Sequence, residues 1–183
     1  VDSFFLNGKA PKGVVFYVDR TGIHGRALAL SEVRGIMSPN PLFNVLVELF
    51  NYETSVRDLD GWQNTCNLLM TNQELHPAND VSDLDALSYC YYYNHVTQTA
   101  DLLPHGWYLP ASGEMFLLFS NMMEVNQSLS KMNHFNNIYQ KMNSDDYWSS
   151  TISASDLCIS FSKGNVKNDH PYAIKGIRPV IRF

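Results

Sequence analysis

The chain of 183 residues lacks most of the signatures that announce chemistry. Neither GxxxxGK nor GxGxxG occurs, which excludes the familiar glycine-rich phosphate cradles. HExxH and GxSxG are absent too, and with them the usual zinc-protease and serine-hydrolase sites. Cysteine is scarce: Cys66, Cys90 and Cys158 form no CxxC and have no histidine at zinc spacing. An odd, sparse count suits buried free thiols and leaves open one disulfide with a spare thiol. The six histidines are scattered, so no metal is expected. No apolar run reaches the ~18 residues a membrane-spanning helix requires. Charged residues make up only 17%, and the net charge of −5 disfavours nonspecific nucleic-acid binding.

Aromatic side chains are plentiful, with ten Tyr and ten Phe. Such a chain suits a core with polar handles and also a binding surface. A domain of this size buries roughly 70% of its unfolded surface, so it folds without a disulfide or metal. We read residues 1–12 as a lead-in and 13–183 as one domain, with no repeat or linker to divide it. The chain opens on Val1, as a trimmed chain would, and shows no leader.

Val14–Val18 is β-branched and aromatic, a strand, and Asp19–Gly25 turns into a partner strand at Arg26–Leu30. Pro39 and Pro41 interrupt the next stretch, and Leu42–Phe50 reads as strand or short helix. Asp58–Met70 has helical spacing, with Trp62, Cys66 and Leu69 on one face. Ser82 and Asp85 form a capping-box pattern for a second helix to about Asn94, with Leu84, Leu87, Cys90 and Tyr91 facing inward.

The stretch HGWYLPASGEMFLLF, residues 105–119, admits two readings. Aromatics could grip a ligand beside a working Glu114. Alternatively the stretch is a joint: Pro110 keeps Leu109 extended, Ser112 caps a helix, and Glu114 meets the positive end of its dipole. Met115, Leu118, Phe119 and Met122 then face a core. Every residue has a structural task, which favours the joint. Helical spacing continues in part over 124–143, through Phe135, Ile138, Tyr139 and Met142.

From Asp145 the pattern becomes short strands. Tyr147–Thr151 is one, with Trp148 expected in the core. Leu157, Ile159 and Phe161 alternate with polar neighbours, Lys163–Asn165 turns, and Val166 begins a return strand. Ile177, Pro179, Ile181 and Phe183 alternate with Arg178, Val180 and Arg182, a final strand with one apolar and one basic face. Five of the thirteen basic residues fall in the last 21 positions, read as a solvated sheet face. Adjacent acids, Asp145-Asp146 and Asp58/Asp60, read as caps at element starts. Strands and helices are segregated, so the fold class is α+β, with first and last strands in one sheet.

With no catalytic motif, the expectation is a noncatalytic binding domain without a cofactor. The polar, aromatic late segment supplies the candidate ligand face: Ser153, Ser155, Asp156, Asn165, Lys167, Asp169, His170 and Tyr172. Tyr172 could stack on a sugar or apolar group, Lys167 pair with an anion, and Asn165 and Asp169 bond hydroxyls. An ordinary solvated edge is the alternative for all eight. An enzyme using Cys158 with His170 would lack any nucleophile motif.

Six stretches, in order, carry a resemblance: GVVFYVDRTGIHGRALAL, DGWQNT, GWYLPASGEMFLLF, YWSST, FSKGNVKN and IRPVIRF. Together the chain resembles the bacterial family named after the Lcl carboxy-terminal domain, common among Bacteroidetes surface proteins. It departs from that pattern at 31–57 and 123–145. The resemblance implies a C-type lectin-like fold: termini meeting in one antiparallel sheet, two or more helices packed on it, and a second small sheet near the C-terminus carrying a ligand face. It implies no enzyme activity. The implied role is a cell-surface or secreted adhesion module for a glycan or a protein on a host or neighbouring surface. A structural or tip subunit of an appendage binding a protein partner is the alternative.

The Glu-Pro-Asn, Gln-Pro-Asp and Trp-Asn-Asp tripeptides of calcium-dependent lectins do not occur, and Ser38-Pro39-Asn40 lacks the acid. Calcium-dependent sugar binding is therefore not expected. Formylglycine-generating relatives need two late cysteines, and only Cys158 is late. The polar stretch 153–173 fits the segment varied in retroelement-diversified proteins of this fold.

Overall fold

The computed structural model describes residues 11–37, 57–75, 85–97, 106–136, 139–143, 146–153, 157–162 and 165–183. Most of the lead-in, Leu42–Phe50, the Ser82 cap, and Ser155 and Asp156 lie outside them.

The first hairpin forms as its sequence dictates. β1 (Gly13–Val18) pairs antiparallel with β2 (Gly25–Ala29). A short β3 (Val33–Gly35) follows, then α1 (Gly61–Leu75), α2 (Ala86–Thr97), α3 (Ser112–Ser120) and α4 (Met122–Asn136). The chain then makes β4 (Tyr147–Ser153), β5 (Leu157–Ser162), β6 (Asn165–Asp169), β7 (Lys175–Ile177) and β8 (Val180–Arg182). This is α+β. One sheet has the order β1-β2-β8 and the other β3-β7-β4-β5-β6. The late sheet is thus the larger one, not the small accessory expected.

First and last strands share a sheet, but through β2: β8 pairs antiparallel with β2, and β1 lies on the other side. The last strand is not continuous. β7 belongs to the larger sheet and β8 to the smaller, with Arg178-Pro179 between them. Proline has no N–H to donate to a ladder, so the change of sheet falls where pairing is already broken.

Arg178 does not face solvent. It is 1% exposed, donating from Nε to Ala29 O at 2.8 Å, from Nη1 to Glu32 Oε2 at 3.0 Å and from Nη2 to Gln140 O at 2.7 Å. Burial holds its guanidinium below its ordinary value, against the pull of Glu32. Tyr147 donates to the same Glu32 oxygen at 2.9 Å. Lys175 is buried as well, so the expected solvated basic face is partly interior.

Three hydrophobic clusters join sheets to helices among the described residues, one of them setting Ala27, Ala29 and Ile181 against Tyr93 and Trp107. Val14, Phe16, Leu28 and Val180 pack with Met115, Leu118, Val125 and Leu129 of α3 and α4. Trp148, Ile152 and Ile177 pack with Leu68 of α1 and Leu87 and Cys90 of α2. Trp148 is fully buried, as expected, and its indole N–H donates to Gly35 O at 3.0 Å. The inward stripe of α1 is Gly61, Thr65 and Leu68, one step from the expected face, which leaves Cys66 half-buried. Asp85 is the residue before α2 rather than its third, accepting from Ser88 N at 2.8 Å and Ser88 Oγ at 2.7 Å. Met142 is buried outside α4, its backbone held by both polar atoms of the Asn126 amide, each at 2.8 Å.

Candidate functional site

The aromatic-proline stretch is a joint. Ala111, not Ser112, precedes α3, and Ser112 N–H donates to Thr151 Oγ1 at 2.9 Å. Glu114 is 1% exposed. Its Oε2 accepts from Ala111 N at 2.9 Å, and its Oε1 accepts from Tyr108 Oη at 2.8 Å and Arg26 Nε at 2.6 Å. Burial pushes the Glu114 carboxyl above its ordinary range, with Arg26 opposing. Burial likewise raises the Tyr108 phenol. The loop before α1 docks on this corner: Gly113 N donates to Asp58 O at 2.8 Å, and Arg26 Nη2 to Leu59 O at 3.0 Å. A Cβ on Gly61 would meet Glu114 Oε2 at 2.5 Å, and one on Gly113 would meet Asp58 O at 2.3 Å. Only glycine permits that approach. The carboxylate thus serves neighbouring chain segments on every side that its contacts describe.

The candidate ligand face lies at the far edge of the larger sheet. β6 is its last strand, paired on one side to β5 with the register Cys158↔Asp169 to Ser162↔Asn165. Asn165, Lys167 and Asp169 share one face of β6 by alternation. Asn165 and Asp169 stand four residues apart, about 13 Å along an extended strand. Ser153 ends β4 opposite Leu157, beside the Cys158–Asp169 end of β6. The turn between β5 and β6, at 163–164, lies outside the described residues.

Lys167 and Asp169 belong to a chain of charges that the sequence did not suggest. Lys175 Nζ sits 3.1 Å from Asp146 Oδ2 and 3.0 Å from Asp169 Oδ2. Its side chain is 6% exposed and lies over the Trp148 ring, 5.3 Å from the centroid. Ser160 Oγ donates to the same Asp169 oxygen. Lys167 Nζ approaches Asp146 at 3.9 Å, a loose pair of the exposed kind that contributes little. Asp146 therefore pairs with lysines, where a cap had been expected. The missed signal was Lys175 itself, a charge between Ile174 and the apolar Ile177 run.

The turn after β6 carries the aromatics. His170 and Tyr172 have ring centroids 5.0 Å apart, tilted by 33°. Ala173 N donates to His170 O at 2.9 Å, closing the turn, and Met37 N donates to Pro171 O at 2.8 Å, tying it to the chain beyond β3. Tyr172 is 46% exposed. The structure therefore brings Lys167, Asp169, His170 and Tyr172 to one end of the sheet and sets Asn165 apart. Ser155 and Asp156 fall outside the described residues.

Cys66 and Cys90 are free thiols, and burial raises both, Cys90 strongly. Among the described residues, no three His, Cys, Asp or Glu side chains are placed to hold a metal ion, and no helix is long and apolar enough to cross a membrane.

The chain superposes on a fimbrial protein from Bacteroides ovatus with a TM-score of 0.61, at 18% identity. The two share a fold. The match covers 87% of this chain and 36% of that one, so this chain corresponds to about a third of that protein's length. No protein-family model matches the sequence, and no curated protein does.

Proposed function

We propose that the chain is a noncatalytic module of a cell-surface appendage, a structural or tip subunit that contacts a protein partner through the end of β6 and the turn after it. The observation that carries this reading is the fold similarity to a fimbrial protein over 87% of the chain. The ordered stretches of Lcl type and the joining of the terminal segments through β2 support a C-type lectin-like domain within that setting. The contact surface is supported by its exposure: Lys167 lies on β6, paired on one side only among the described residues, and His170 and Tyr172 lie in the turn that follows it. Short, charged edges resist promiscuous strand pairing, which favours a partner that reads side chains over one that adds a strand.

A glycan is the second reading. It is favoured by the half-exposed Tyr172 ring, held beside His170 in a closed turn where a sugar could stack.

Photo-crosslinking from the exposed position 174, two residues beyond Tyr172, on intact producing cells, followed by shearing of appendages, tests the proposal. The chain should partition with the sheared fraction and capture an appendage subunit. The Tyr172→Ala, Lys167→Ala double variant should lose that product while staying folded. An unchanged crosslink in the double variant, or a chain absent from the sheared fraction, refutes the protein-contact reading. Specific retention on a glycan array, abolished by the same double variant, would favour the second.

A further inference from the structure

We infer that Lys175 is the positioning residue of the contact turn: its ammonium clasps Asp169, so that a side-chain pair holds the two ends of 170–174 together. The consequence for partner capture rests on the turn being a contact surface; the clasp itself does not. Asp169 closes β6 and Lys175 opens β7. In sheet order β4 and β5 stand between those two strands, so no backbone ladder joins the ends of the turn. The ion pair supplies the tie. Lys175 Nζ lies 3.0 Å from Asp169 Oδ2, and its side chain is 6% exposed. The Trp148 ring backs the ammonium, and Asp146 anchors it from the residue before β4, at 3.1 Å. The Ser160 hydroxyl fixes the Asp169 carboxylate from β5.

A sheltered ion pair adds little net stability over apolar residues of like volume, but losing one member leaves the other charge uncompensated. Without the ammonium, the Asp146 and Asp169 carboxylates confront each other as like charges, and the turn loses its tie. Within the turn, Ala173 N–H donates to His170 O at 2.9 Å and Tyr172 N–H to His170 Nδ1 at 3.4 Å. Met37 N–H reaches Pro171 O at 2.8 Å. Fixed ends let these bonds persist and keep the His170 and Tyr172 ring centroids 5.0 Å apart. A turn ordered before contact is spared the ordering cost when a partner binds.

Amide exchange followed by NMR on the purified full chain tests the clasp without any partner. Lys175→Met keeps an apolar stem over Trp148 and removes the charge, and Asp169→Ala removes the acceptor. Both should speed exchange at Ala173 and Met37 by about tenfold or more while β1 and β2 amides keep their rates, because a charge-assisted bond gates the local opening. Asp146→Ala removes the other carboxylate and should change the same two rates by less than about twofold, a split that a general loss of stability would not produce. The crosslink from position 174 should weaken in Lys175→Met and persist in Asp146→Ala. Asp169→Ala decides the matter if Lys175→Met does not fold. Unchanged exchange at both amides in a folded clasp variant overturns the inference, and so does equal acceleration in Asp146→Ala. Selective acceleration upholds the clasp even where position 174 of the parent captures no subunit, a failure that counts against the contact surface alone.

Discussion

Replacing Arg26 by methionine isolates the energetics of the joint. Methionine keeps the stem volume of Arg26, whose side chain is 16% exposed, but removes the partner of a carboxylate that is 1% exposed. Breaking a buried pair by removing one member costs about 3–5 kcal/mol, since the other charge is left uncompensated. The partial exposure of Arg26 places the expectation near the lower end, about 3 kcal/mol. At ~2–4 °C per kcal/mol for a domain of this length, the melting temperature should fall by roughly 6–12 °C.

The pH dependence has a definite sign. Burial raises the Glu114 carboxyl above 4.5 even with Arg26 in place. A carboxyl raised on folding adds stability that is full below its unfolded value and lost as pH climbs through its folded value. Without Arg26 the rise is larger, so the variant's deficit should be greatest near neutrality and shrink below about pH 4.5. Urea unfolding at both pH values measures it. The Arg26→Met, Glu114→Gln double variant should be more stable at neutral pH than Arg26→Met alone, because the amide leaves no buried charge. A deficit under ~0.5 kcal/mol, the ordinary range of surface substitutions, or one that grows in acid, would refute the buried-pair account.

Arg178→Met should cost about 3–5 kcal/mol by urea unfolding, since it strands the Glu32 carboxylate and two backbone carbonyls. A loss below 1 kcal/mol would mean that water replaces the guanidinium. Gly113→Ala should lose about 1–3 kcal/mol, because its Cβ falls 2.3 Å from a backbone oxygen that cannot swing aside. An unchanged midpoint would show that the α1 approach loop is free to lift. Cys90 should resist maleimide in the native protein and react on unfolding, with Cys66 slow but measurable. Rapid native labelling of Cys90 would contradict its burial.

Elements with local causes were legible in the sequence. The β1–β2 hairpin follows from a β-branched run and a turn, and α3 from Pro110, a first-turn acid and helical spacing. Trp148 in the core followed from its place at the sheet entry. What escaped was set by partners far along the chain. Arg178 alternates with apolar residues like any solvated strand cation, yet Ala29, Glu32 and Gln140 supply its acceptors. Apolar alternation over Ile177–Phe183 does not reveal two sheets, because periodicity carries no information about neighbours. Ser149, Ser150 and Thr151 are buried in an irregular part of β4. Their polarity suggested nothing of the kind, since partners such as Asp58 and Pro110 lie tens of residues away. The candidate face was legible in part: exposure at Lys167, His170 and Tyr172 followed from a polar strand and turn, but the Lys175 network beneath did not.

The placement of β2 has a mechanical consequence. β1 and β8 both run antiparallel to it and so run parallel to each other, which puts Gly13 and Phe183 at opposite ends of the sheet. Tension between those two points drags the outer strands past the middle one lengthwise, loading many rungs at once and none in sequence. The β8 ladder is clasped from Ala29 N to Pro179 O at one end and by a reciprocal Gly25–Phe183 pair at the other. A chain pulled in that direction yields by shear rather than by unzipping, the geometry that best withstands drag.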